Sequence, residues 1–131
     1  MEPMATIHDT LTLALNRHMA GQFAEAEALY ARVLDAAPDH PDALHLSGML
    51  LGQAGRFDVG LERVARAVAL RPEAADFRIN RAALLDAAGH HADALDAARR
   101  AMALNPAFAE GWTDLSALLR PQPGSWLEVA V

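Results

Sequence analysis

The sequence predicts an all-α fold: a right-handed superhelical stack of helix-turn-helix repeats, three full repeats and a terminal helix. Three observations predict it. Pro38, Pro72 and Pro106 stand 34 residues apart. Gly21, Gly55 and Gly89 keep the same spacing. Small residues recur at that interval too, at Ala14, Gly48, Ala82 and Ser116, and again at Ala26, Gly60 and Ala94. A fixed period of about 34, with a glycine in mid-repeat and a proline near its end, marks a stacked array of helix pairs.

The elements follow in order. The first helix is expected near 5–20, ending at Gly21, which can take φ > 0 as a helix C-terminal residue. The second, near 24–36, follows bulky Phe23 and stops before Pro38. The pattern repeats at 41–54 and 58–70, then at 75–88 and 92–104, with Phe57 and His91 in the place of Phe23. A seventh helix is expected at 109–119. Asp58 is a candidate N-cap, and Asp42 and Glu73 are favourable charges near helix starts. Connections this short force neighbouring helices to run antiparallel. The paired small residues let them approach closely, so Gly48 is expected to face Gly60 and Ala82 to face Ala94. Pro121 to Gly124 ends the array. The last residues, Ser125 to Val131, are apolar in alternation and too few for a stable helix.

The segments Leu44 to Leu51, Arg78 to Leu85 and Trp112 to Leu119 align with one another at the repeat interval. On these residues the chain resembles the tetratricopeptide repeat (TPR) family, as a bacterial-type array. The resemblance covers roughly residues 7–119. It implies a TPR domain over 1–120, with repeats at about 7–40, 41–74 and 75–108 and a capping helix at 109–119, followed by a tail, 121–131. Thr10 and Arg17 stand where the family usually has large apolar residues. Arg78 and Arg81 do so in the third repeat, where their stems can still cover apolar surface, and they imply a looser contact between repeats two and three.

Composition narrows the function. The net charge is −6, and every one of the eleven basic residues is arginine. Arginine without lysine is the usage of a GC-rich genome and points to a bacterial source. With no basic excess or run, nucleic acid is excluded as the expected partner. No apolar run is long enough for a membrane span, and Met1 to Met4 lacks the start of a secretory signal, so a cytoplasmic location is expected. The chain has no cysteine, hence no disulfide or thiol chemistry.

No catalytic constellation emerges. The adjacent His90 and His91 do not form a chelate by spacing alone, and His8 and His18 lie too far apart for one helical turn. Ser47 and Ser116 sit at contacts where small size matters. Glu25 and Glu27 read as a solvated helix face. Gly48 and Gly52 lie in a helical pattern with no preceding strand, unlike a phosphate loop. The sequence therefore implies no enzyme activity, no metal and no cofactor.

Function is then expected on the inner surface. The resemblance implies that the first helix of each repeat lines a concave groove. Its lining would be Leu11, Leu15 and Met19, then His45, Leu46, Met49 and Gln53, then Ile79, Asn80, Ala83 and Asp86. The centre of this set is apolar. Gln53 and Asn80 can hydrogen-bond a peptide backbone as donor or acceptor. Asp42, Asp76 and Glu110 repeat at equivalent points and read equally as an acidic edge or as helix N-terminal charges. A clamp for a chaperone's C-terminal carboxylate is set aside: its positions here are Leu11, Leu15, Leu46, Asp76 and Asn80, without a cation. The expected function is a non-catalytic protein-interaction module that binds a peptide or protein segment in this groove. The alternative is the N-terminal, substrate-presenting array of a larger bacterial glycosyltransferase or sulfotransferase-like enzyme. Self-association through the terminal helix or the tail is a further expectation.

Overall fold

The computed structural model of the protein describes residues 6–107. The predicted terminal helix 109–119 and the tail 121–131 lie outside the described residues. Within them are six helices and no strand: α1 (Ile7–Met19), α2 (Phe23–Ala36), α3 (Pro41–Gln53), α4 (Phe57–Leu70), α5 (Ala75–Ala87) and α6 (His91–Leu104). They group into two compact units, with α1–α4 in residues 1–71 and α5–α6 in residues 72–131. The boundary falls between the second and third repeats.

Each hairpin turns in the same way. Gly21, Gly55 and Gly89 adopt φ of 79°, 86° and 92°, and no other residue described has positive φ. Gly21 N–H donates to His18 O and Gln22 N–H to Arg17 O; Gly55 and Arg56 repeat this, as do Gly89 and His90. This is the Schellman arrangement, in which a left-handed residue closes the helix and satisfies its last carbonyls. It begins the next helix so soon that α4 starts at Phe57, with Arg56 as its N-cap residue. Asp58 therefore lies in the first turn of α4 and is not the N-cap expected from the sequence. Its charge still favours the helix start.

The first helices of the repeats begin at three residues spaced by the repeat, each with a different cap. Thr6 forms a capping box with Asp9. The His40 imidazole accepts from Ala43 N–H ahead of Pro41 at the first helical position. Ala74 has no side-chain cap.

In the first unit the core forms where α1, α2 and α3 meet. Ala14, Ala26, Tyr30 and Leu50 are buried together, with Leu11, Phe23, Leu29 and Leu46 packed against them. Burying a side chain of leucine size is worth about 1.5–3 kcal/mol. The α3–α4 contact is closer, as the paired glycines predict. A Cβ on Gly48 would sit 2.8 Å from Gly60 O, and one on Gly60 would sit 2.6 Å from Gly48 O. Surface ion pairs Arg56–Glu27, Arg66–Asp39 and Arg71–Asp42, at 3.1–3.3 Å, span residues far apart in this unit. Each is exposed and adds little.

Among the described residues the second unit holds the α5–α6 hairpin, with an alanine-rich seam. Ala82, Ala94, Ala98 and Ala101 have no exposed surface. Small side chains on facing helices permit close packing with little rotamer entropy to lose.

Candidate functional site

The first-helix residues expected to bind a ligand divide between the two units. In the first unit Leu11 and Leu46 turn inward and pack on the Ala14–Tyr30 cluster. They build the wall. Leu15 is 36% exposed and Met19 79% exposed, one helical turn apart on α1. Met49 is half-buried, His45 is buried, and Gln53 at the end of α3 is exposed. In the second unit Ile79, Asn80 and Ala83 are half-buried and Asp86 is buried.

The buried polar groups explain what two of these residues do. The His18 ring lies between Tyr30 Oη, 2.9 Å from Nδ1, and Gln53 Oε1, 2.6 Å from Nε2. Gln53 Oε1 can only accept, so Nε2–H donates to it; in the tautomer that carries its one proton there, Nδ1 accepts the Tyr30 hydroxyl. One imidazole thus joins α1, α2 and α3. Phe23 and Tyr30 each meet this ring edge-on, with centroids 5.7 and 5.9 Å away. Burial pushes the Tyr30 hydroxyl up to about 12 because the phenolate would lose its hydration.

The repeat carries different chemistry at this register. His18, Gly52 and Asp86 are equivalent by the 34-residue interval, as are Phe23, Phe57 and His91. In the second unit His91 Nδ1–H donates to Asp86 Oδ1 at 2.6 Å. The carboxylate side chain is 6% exposed and the imidazole 41%. Asp86 is therefore held by His91. Asp42, expected on an acidic edge, pairs with Arg71 at 3.3 Å, while Glu110 lies outside the described residues.

The spacing of the histidines excludes a chelate but does not reveal the Tyr30–His18–Gln53 chain. The available signal was the register itself, where a polar residue alternates with glycine in a position that packs against a ring. Among the described residues no group of three histidines or acids could hold a metal ion.

These paired helices, each turned at a left-handed glycine and packed on small residues, match a known profile. The tetratricopeptide repeat profile fits residues 11–51 and 45–109. The chain belongs to the tetratricopeptide repeat family. Its TPR fold is shared with solved structures. An O-GlcNAc transferase mutant from Thermobaculum terrenum is 31% identical with a TM-score of 0.81, over 91% of this chain and 23% of that one. The type III secretion chaperone SycD of Yersinia enterocolitica, in complex with a peptide of the translocator YopD, is 19% identical with a TM-score of 0.74, over 86% of this chain and 88% of that one. MamA (AMB-1) is 22% identical with a TM-score of 0.65, over 77% and 55% of the two chains. No curated protein sequence matches the chain. The TPR fold is typical of protein–protein interaction, and such repeats are generally non-catalytic. The expected bacterial source accords with these bacterial neighbours. Among the described residues no helix is long and apolar enough to cross a membrane.

Proposed function

We propose that this TPR chain is a non-catalytic interaction module that holds a peptide or protein segment against the first helices of its repeats. The observation that carries this reading is Met19, 79% exposed beside Leu15 at 36%. Large apolar side chains left open at helical spacing suit an apolar anchor on a partner. Met49 and Gln53 on α3 supply the rest of the proposed lining in the first unit, and Ile79, Asn80 and Ala83 on α5 are the candidate contacts of the second unit by itself. SycD, which shares the fold, was solved with a bound peptide, and this supports the same use here.

Selection from a random dodecapeptide library on the immobilised 131-residue chain tests the reading. Peptides enriched on the wild-type chain, with binding lost in Met19→Asp or Met49→Asp at unchanged helical content, are expected. Enrichment of no peptide, or undiminished binding by both variants, defeats it.

A second reading has its own support. This chain is 31% identical to a stretch that makes up 23% of an O-GlcNAc transferase chain. On that reading the array presents protein substrates to a transferase domain. A reading frame that continues past Val131 into such a domain favours it; a stop codon there favours the stand-alone module.

A further inference from the structure

We propose that Gln53 presents its amide N–H groups to a backbone carbonyl of the bound peptide, aimed by Tyr30 and His18. The inference rests on the peptide-binding reading above and gives its ligand a chemistry.

A free glutamine amide offers a ligand either its oxygen or its nitrogen. In Gln53 the amide is turned one way. Its Oε1 accepts from His18 Nε2–H at 2.6 Å and is held toward the ring. The imidazole is held in turn by Tyr30, whose hydroxyl lies 2.9 Å from Nδ1. Tyr30 has no exposed surface, and His18 is only 9% exposed. The direction of the whole chain is thereby set in the core: Tyr30 O–H to Nδ1, then Nε2–H to Oε1. The Gln53 Nε2, carrying two hydrogens, is thereby turned away from His18 at an exposed helix end.

The two senses expected of Gln53 are therefore held in fixed directions. A donor pair held in one orientation favours an acceptor on the side it faces. The formal charge of −6 favours a neutral carbonyl over a carboxylate or phosphate as that acceptor. Met19 follows His18 in the chain and stands open beside it. An extended segment could lay an apolar side chain on Met19 and turn a neighbouring backbone carbonyl to Gln53, as alternating side chains and carbonyls allow. Gln53 is the binding residue here. His18 and Tyr30 are positioning residues.

Two measurements test this. The first needs no ligand: nitrogen-15 spectra of the histidine-labelled chain at neutral pH. The expected result for His18 is a proton on Nε2 and a lone pair on Nδ1. A proton on Nδ1 alone would reverse the chain, turn the Gln53 oxygen outward and overturn the proposal.

The second uses the dodecapeptides selected above as probes. Gln53→Glu keeps the oxygen that His18 contacts and removes both donors, so it should weaken binding about tenfold or more. Tyr30→Phe leaves Gln53 in place but frees the ring to turn. It should weaken binding about threefold, and add nothing to the loss in Gln53→Glu. Thermal melts confirm that each variant is folded at the assay temperature. If folded Gln53→Glu binds the peptides as the wild type does, the inference fails while the peptide-binding reading stands. If no peptide is selected at all, both fail.

Discussion

The Asp86 carboxylate meets His91 Nδ1 at 2.6 Å, in the register where His18 meets the Phe23 ring edge-on two repeats earlier. The repeat keeps the contact and changes its chemistry. Asp86 is buried and hydrogen-bonded by the half-exposed His91 ring. His91→Ala should therefore destabilise the fold by about 1–3 kcal/mol, the usual penalty for orphaning a buried polar group. His91→Phe restores the ring of the other repeats but also orphans Asp86, and should be destabilising alone. Paired with Asp86→Ala it should recover most of the loss, because the carboxylate is then gone. Urea titrations of the two single variants and the double variant check this; strict additivity contradicts it.

The glycines divide into two kinds, and alanine substitution should separate them. At Gly60 a Cβ would come within 2.6 Å of Gly48 O and 3.0 Å of Gly52 N, all backbone. Overpacking of this sort costs about 1–3 kcal/mol. At Gly55 a Cβ meets nothing within 4 Å, but φ is +86°. Its substitution should cost about 1–2 kcal/mol from backbone conformation alone. D-Alanine introduced by chemical synthesis distinguishes the causes. It should be tolerated at Gly55, where left-handed backbone suits it.

Alkaline stability should report one residue. Tyr30 is the chain's single tyrosine, and the sequence has neither lysine nor cysteine. Burial raises its hydroxyl from 10.0 to about 12. The folded chain thus keeps a proton that the unfolded chain gives up. Stability from this source is complete below pH 10 and falls as pH rises from 10 to about 12. The loss should amount to roughly 1–3 kcal/mol. Ultraviolet titration of the phenolate and denaturation at stepped pH should agree, and Tyr30→Phe should lack the alkaline fall.

The capping box predicts a smaller effect. Thr6 Oγ1 accepts from Asp9 N–H at 3.0 Å, so Thr6→Ala should lower stability by about 1 kcal/mol. Hydrogen exchange should quicken first in the opening turn of α1.

The repeat was legible because its markers are single residues with single physical jobs. Gly21, Gly55 and Gly89 are placed by a backbone angle, and Gly48 and Gly60 by a lack of room. The helix starts were less legible. Thr6, His40 and Ala74 occupy one register with three different solutions, so no residue type recurs there to be noticed. The candidate site could be named from the sequence as a set of positions, but the exposure of each could not. Leu15 and Met19 look like Leu11 in a sequence, yet Leu11 packs on the core and Met19 stands open. That difference comes from the neighbouring helices. The Tyr30–His18–Gln53 chain was hidden for the same reason: its members lie 12 and 35 residues apart and meet only after three helices have packed.

The Gly48–Gly60 contact also bears on how the chain reaches its fold. Its two members are only twelve positions apart, across a turn whose left-handed glycine already suits it. Closing a loop of about that size takes tens of nanoseconds, and chains dominated by such local contacts fold in microseconds to milliseconds. This close approach therefore needs no long search. A hairpin emerging from the ribosome would hold enough sequence to make it before the following repeat had been synthesised.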